Sequence, residues 1–254
     1  MATALVTGGT SGIGAEFARQ LAARGWDLVL AARDPSRLDD TAATLRATGV
    51  DVEVLRADLA DRAEVDRVAE RLADPSRPVD LLVNNAGFGV HHDLTDPDVS
   101  VHDEAFDVMC RATLVLSASA ARGMRDRGRG HVLNVSSVAG LLSMGTYSTV
   151  KAWVTSYSQA LAVELRGSGV GVTAVLPGWV RTEFHQRAGI RSSSIPNSLW
   201  LSSELLVAAA LRDMDEGKVI SIPTLRYRVL VGLLRHAPLA AVRRVSGAIR
   251  SSRS

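Results

Sequence analysis

Ala2-Thr3-Ala4-Leu5-Val6-Thr7-Gly8-Gly9-Thr10-Ser11-Gly12-Ile13-Gly14 stands near the start of the chain. A short apolar run passes through glycines into a segment with helical spacing, Gly12–Arg24. The glycines permit a sharp turn and let a bound group approach the backbone. The start of the helix adds unpaired N–H groups and the positive end of its dipole. A glycine-rich turn can be merely structural, but at a first strand-to-helix junction it is expected to hold the pyrophosphate of a dinucleotide.

Outward from that stretch the pattern repeats. Asp27–Ala32, Asp51–Arg56, Val79–Asn84, His131–Ser137, Val170–Leu176 and Lys218–Ile222 join Ala2–Thr7 as short Val/Leu-rich strands, seven in all. Pro35–Thr48, Asp61–Ala73, Asp103–Arg127, Tyr147–Arg166 and Ser203–Glu216 have helical spacing, with Asp34-Pro35 as a start signal and Gly25 and Gly49 as stops. This alternation predicts an α/β fold: a doubly wound, seven-stranded parallel sheet with helices on both faces. Two irregular stretches, Ala86–His102 and Gly178–Ser202, are long enough to be functional loops.

The 254 residues suit one such domain, expected over 1–224 with a substrate loop at 178–202. A composition of 46% hydrophobic and 22% charged residues excludes a disordered polymer. Without a signal-peptide pattern at Met1–Gly8 or a long apolar run, a cytoplasmic protein is expected. One cysteine, Cys110, excludes a disulfide framework and reads as a packed thiol, and six scattered histidines suggest no metal site. His91, His92, Asp93, Asp96 and Asp98 read as solvent-facing.

Charge is uneven. Of 29 basic residues, eight (Lys218 and seven arginines) follow Glu216, the last acidic residue, leaving 21 against 27 acids before it. The body is acidic, which argues against nucleic acid. Residues 225–254 form a basic amphipathic extension: Leu225–Leu234 carries arginines beside Val and Leu, and Pro238 breaks the helix. Packing over the site or against a second subunit is the expected role, with peripheral membrane contact the alternative. Ser246–Ser254 is expected to fray.

Three further signals bear on chemistry. The second strand closes Leu30-Ala31-Ala32-Arg33, with no carboxylate to receive a ribose hydroxyl and an arginine that suits a 2′-phosphate, so NADP(H) is expected over NAD. A solvated surface role for Arg33 is the alternative. Tyr147-Ser148-Thr149-Val150-Lys151 places phenol and ammonium one turn apart, where the cation is expected to lower the tyrosine pKa. The chain holds only two lysines beside 27 arginines, and one stands here, where a compact ammonium would serve better. The fifth strand ends Asn134-Val135-Ser136-Ser137, at the carboxyl edge where parallel sheets bind ligands.

In order, these motifs resemble the short-chain dehydrogenase/reductase family over roughly residues 2–222, which implies a Rossmann-like fold. Thr7–Gly14 matches its T-G-x-x-x-G-x-G motif, Ala57-Asp58-Leu59 its adenine-contacting segment, Asn84-Asn85-Ala86-Gly87 its N-N-A-G, and Pro177-Gly178 the P-G after its sixth strand. The resemblance implies that Ser137 orients a substrate oxygen, Tyr147 transfers a proton, and Lys151 binds the nicotinamide ribose and lowers the Tyr147 pKa. It assigns cofactor contacts to Gly8, Thr10, Ser11, Gly12, Ile13, Gly14, Arg33, Asp58, Leu59, Asn85, Ala86, Gly87, Pro177, Gly178, Val180 and Thr182. Hydride exchange between NADP(H) and a carbonyl or secondary alcohol follows, in a homodimer or homotetramer. Trp179, Phe184, Ile195, Leu199 and Trp200 suggest an apolar substrate.

Two departures stand out. Met109 occupies the place where many members carry a proton-relay asparagine, and an amide's hydrogen bonds are beyond a thioether. Ser137 and Tyr147 are ten positions apart, about three fewer than is common in the family, which implies a tighter Leu141–Thr146 turn. A nucleotide-sensing protein with weak turnover is the alternative reading.

Overall fold

Strict alternation along the strands builds two cores. In a computed structural model, which describes residues 1–90, 92–181 and 199–251, strand β1 (Thr3–Thr7) sends Ala4 and Val6 to one face and Leu5 to the other. Strand β2 (Asp27–Ala32) divides Leu28 and Leu30 from Val29 and Ala31 in the same way. Successive side chains point to opposite faces, so a strand apolar at every position must be covered twice. Helices α1 (Gly12–Ala23) and α2 (Pro35–Arg46) contribute to one core. Helix α3 (Arg62–Ala73) contributes to the other.

The sheet is completed by β3 (Val52–Arg56), β4 (Leu81–Asn84), β5 (Gly130–Val135), β6 (Val170–Val175) and, at the far edge, β9 (Ile220–Ser221). The order β3-β2-β1-β4-β5-β6-β9 is parallel throughout, the seven strands expected from the sequence. The order reverses between β1 and β4, which opens a crevice at the carboxyl ends of the strands. A separate two-residue pair, β7 (Trp179–Val180) with β8 (Trp200–Leu201), brackets residues 182–198.

The long helix expected at Asp103–Arg127 proves composite: α4 (Ser100–Phe106), a π-helical turn at Asp107–Arg111, and α5 (Ala112–Asp126). Thr113 Oγ1 donates to the Met109 carbonyl at 2.9 Å within that wider turn. Helix α6 (Thr146–Glu164) packs beside α4 and the π-helical turn. Helix α7 (Ser203–Asp215) packs on the face of α1. Asp34 and Asp61 cap α2 and α3 by accepting backbone N–H bonds, each worth about 1 kcal/mol.

A buried polar chain ties the middle of the sheet to both helices. Asn84 Nδ2 donates to Ser117 Oγ and to Asn134 Oδ1, and Asn134 Nδ2 donates to Ser158 Oγ, all at 2.9 Å. With every member paired, it fixes the register of β4, β5, α5 and α6 rather than costing stability.

The basic extension folds as α8 (Leu225–His236) and α9 (Leu239–Ser251), separated at Pro238 as expected. Tyr227 belongs to the core. The expected fraying from Ser246 is corrected: Ser246 is buried, donates to the Val242 carbonyl at 2.8 Å and accepts from the Ser143 amide at 3.0 Å.

Candidate active site

A cleft of about 1550 Å³ runs along the carboxyl ends of the strands. At one end lies the glycine turn. Gly8 and Gly12 take φ of +64° and +54°, which disfavour a side chain. A Cβ on Gly14 would stand 2.2 Å from the Gly8 carbonyl oxygen and 2.4 Å from Asn85 Nδ2. Unlike α2 and α3, helix α1 has no side-chain cap: the Ser11 hydroxyl accepts nothing from its first turn, and no acid lies there. Thr10, Ser11, Gly12 and Ile13 line the cleft with these free donors, a cradle that fits a pyrophosphate.

Asn85 supports that cradle from behind. Its Nδ2 donates to the Thr7 and Gly8 carbonyls at 3.0 and 3.3 Å, and its backbone N–H and that of Ala86 donate to Thr7 Oγ1 at 3.0 and 3.1 Å. Asp58 and Leu59, beyond β3, line the same end. Arg33 lies at the mouth, 64% exposed, with Glu104 Oε1 3.7 Å from its Nη1. Arg37, one turn into α2, also lines this corner and was not singled out in the sequence. Its spacing of four from Arg33 was the available signal.

Ser137, Tyr147 and Lys151 come together at the other end. The Ser136 hydroxyl donates to the Lys151 carbonyl at 2.7 Å and pairs with Thr155 Oγ1 at 2.7 Å, pinning α6 to the end of β5. A 3₁₀ turn, Val138–Leu141, takes up the first half of the short connection. Gly140 makes that possible, because a Cβ there would stand 2.7 Å from the Ala152 nitrogen and 2.8 Å from the Lys151 carbonyl carbon. The short connection is spanned by this 3₁₀ turn followed by irregular chain at residues 142–145, and the hydroxyl of Ser137 reaches Tyr147. Ser137 Oγ also accepts from the Ala139 amide at 3.1 Å.

Lys151 Nζ donates to the Val135 carbonyl at 2.9 Å and lies 5.7 Å from the Tyr147 ring centre. The expected net lowering of the phenol is corrected here, because burial dominates its environment. Burial of the Tyr147 hydroxyl pushes it up to about 12, against which the Ser137 hydrogen bond works. Burial also brings Lys151 down to about 8, opposed by nearby Cys110. Removing both groups from bulk water favours their neutral forms, so Tyr147 stands as a protonated phenol at neutral pH.

Gly87 faces this group: a Cβ on it would meet Met109 Sδ at 3.0 Å and Lys151 Nζ at 3.6 Å. Met109 is buried in the π-helical turn, and its thioether and the Lys151 ammonium both stand close to Gly87. Cys110 is buried and its thiol is pushed up to about 11 by burial, as a packed thiol should be.

Pro177, Gly178, Trp179, Val180 and Leu199 form the far wall; Trp200 is buried instead, its ring 6.2 Å from that of Trp179. Thr182, Phe184 and Ile195 lie outside the described residues, as does His91. His92 and Asp93 face solvent as expected, and with the half-buried Asp96 they rim the mouth of the cleft. Among the described residues no group of three or more His, Cys, Asp or Glu could hold a metal. Tyr227, missed in the sequence, closes the wall. Its hydroxyl accepts from the Trp179 amide at 3.0 Å and donates to the Leu199 carbonyl at 2.7 Å, and its ring fills the space a Gly178 side chain would need. Leu142, Met144, Leu230 and Leu234 make this end of the cleft apolar.

A parallel sheet with a phosphate cradle at its switch point, and a phenol, hydroxyl and ammonium grouped beside it, defines a dinucleotide-dependent oxidoreductase. The short chain dehydrogenase profile matches residues 2–191, and the chain belongs to that short-chain dehydrogenase/reductase family. The ketoacyl reductase assigned to the monensin polyketide synthase of Streptomyces virginiae is 40% identical over 197 residues, covering 72% of each chain. A short-chain dehydrogenase from Sphingobium yanoikuyae, solved with NADPH, is 37% identical with a TM-score of 0.84, covering 94% of this chain and 96% of its own. The bulky-bulky ketone specific alcohol dehydrogenase of Comamonas testosteroni is 32% identical with a TM-score of 0.80 over 94% and 95%. A family member from Burkholderia phymatum, solved with NAD, is 28% identical with a TM-score of 0.82 over 95% of each.

Proposed function

We infer that this oxidoreductase exchanges hydride between NADP(H) and the carbonyl carbon of an apolar ketone or aldehyde, or the corresponding secondary alcohol. The convergence of Ser137, Tyr147 and Lys151 on one wall of the cleft carries this reading. Arg33 and Arg37 support the 2′-phosphate form of the cofactor, because β2 ends in Ala32 rather than a carboxylate and the neighbouring Asp34 is engaged in capping α2 and facing Arg37. The apolar far end, and the bulky ketone specificity in the name of the Comamonas relative, support the substrate class.

The bound nicotinamide supplies or accepts the hydride. In reduction, Ser137 donates a hydrogen bond to the substrate oxygen and Tyr147 gives that oxygen its proton as negative charge develops. The Lys151 ammonium, held by the Val135 carbonyl, lowers the cost of the phenolate left behind. Oxidation reverses each transfer. Met109 in the place of a relay asparagine, with the short Ser137–Tyr147 spacing, favours a second reading, a nucleotide sensor with weak turnover.

NADPH oxidation against apolar ketones, aldehydes and 3-oxoacyl thioesters separates these readings. Turnover with NADPH preferred over NADH is expected, the preference falling in Arg33→Ala. Tight NADPH binding with no turnover on any member would favour the sensor. Equal use of NADH would refute the role given to Arg33 and Arg37.

A further inference from the structure

Helix α8 is apolar on two opposite sides. Tyr227 and Val231 are buried against the protein, and Leu230 and Leu234 line the cleft. At 100° per residue, Leu225, Val229 and Leu233 project the other way, and they are 75%, 56% and 67% exposed. Val229, Gly232, Leu233, His236 and Ala237 outline a shallow apolar groove along this outer stripe. A helix that only packs over a site would present polar residues there.

Arginines flank the stripe. Arg226 lies on one side of it and Arg228 on the other, and Arg243 and Arg244 are exposed on α9. No Asp or Glu occurs in residues 217–254; Asp213 and Glu216 at the end of α7 pair with Lys218, and Asp213 also faces Arg228 at 4.0 Å, so these acids are already engaged. A second copy docked symmetrically through this face would bring arginines together with only the already-paired Asp213 nearby. An anionic lipid surface has both features the face needs: phosphates for the guanidinium groups, and an acyl boundary for the leucines and valine.

We propose that the outer face of α8, with the arginines of α8 and α9, docks this protein on an anionic phospholipid bilayer. Leu225, Val229 and Leu233 enter the headgroup boundary. Because Leu230 and Leu234 of the same helix line the cleft, the apolar end of the cleft then lies about one helix diameter, roughly 10 Å, from the lipid. The docking does not depend on the reaction assigned to the cleft, and its test does not read turnover.

The full chain is sedimented with vesicles of pure phosphatidylcholine and of equimolar phosphatidylcholine and phosphatidylglycerol, at low and high salt. Binding is expected to the anionic vesicles only and to weaken with salt. Each of Arg226→Gln, Arg243→Gln and Arg244→Gln should weaken it about five-fold. The triple variant Leu225→Ser, Val229→Ser, Leu233→Ser should lose more than about ten-fold, with an unchanged circular dichroism spectrum because all three positions are exposed. Wild type left in the supernatant with anionic vesicles, or triple-variant binding equal to wild type, overturns the proposal. So does a wild-type dimer that ignores vesicles and dissociates in the triple variant, which would make the face a subunit contact.

Discussion

Replacing Gly140 by alanine tests how so short a connection still assembles the site. The new Cβ would stand 2.7 Å from the Ala152 nitrogen and 2.8 Å from the Lys151 carbonyl carbon, where ordinary contact begins at 3.4 Å. Both opposing atoms are helix backbone, so no side chain can swing away. The 3₁₀ turn carrying Ser137 or the α6 turn carrying Lys151 must retreat by about 0.7 Å. Overpacking of this kind costs about 1–3 kcal/mol of stability. A displacement approaching 1 Å between reacting groups costs up to about 100-fold in rate. Steady-state NADPH oxidation should show kcat/KM about 30-fold or more below wild type, with NADPH binding by fluorescence titration changed far less because the glycine cradle is at the other end of the cleft. A variant within three-fold of wild type in kcat/KM would refute the claim that the packing of Gly140 on α6 sets Ser137 against Tyr147.

The remaining predictions concern protonation and the far wall. Tyr147 at about 12 remains a proton donor across the working range while Lys151 loses its proton near 8, so carbonyl reduction should hold level below about pH 8 and fall above it. A pH profile rising through 8 would contradict this. His131 is held neutral, near 4 against an ordinary 6.5, by burial, with Asp215 opposing, and its ring pairs with Thr173 Oγ1. The unfolded chain takes a proton below 6.5 that the fold refuses, so stability should fall from pH 6.5 towards 4, by about 2 kcal/mol after allowance for partial exposure. Urea titrations of His131→Gln should lack that part of the slope. Tyr227→Phe removes the hydrogen bonds to the Trp179 amide and the Leu199 carbonyl and should cost about 2 kcal/mol in urea unfolding. It should also raise KM for the carbonyl substrate, and an unchanged stability would mean those groups are satisfied elsewhere.

Much of the fold was legible because a doubly covered parallel sheet leaves a plain signature. Leu28–Ala31 and Leu81–Val83 are apolar at every position, and Asp34-Pro35 marks the start of α2 in sequence and structure alike. The π-helical turn at Asp107–Arg111 was not, since one wider turn barely alters a helical period. Nor were β7 and β8, two residues each, whose pairing depends on contacts across residues 182–198. Tyr147 and Lys151 were legible from spacing and residue choice, and Ser137 from the family resemblance. The acid strength of Tyr147 was not, because spacing reports the neighbouring lysine while burial is decided by the whole fold. Tyr227 hid within an amphipathic tail: its sequence context shows an apolar stripe, and only the missing side chain of Gly178, 49 positions away, explains where its ring goes.

The central claim is that Tyr147 protonates the substrate oxygen, and Tyr147→Phe addresses it most directly. NADPH oxidation by the variant should fall by at least about 100-fold with a carbonyl that the wild type reduces, while the NADPH dissociation constant stays within a few-fold. Equal turnover in variant and wild type would contradict the account.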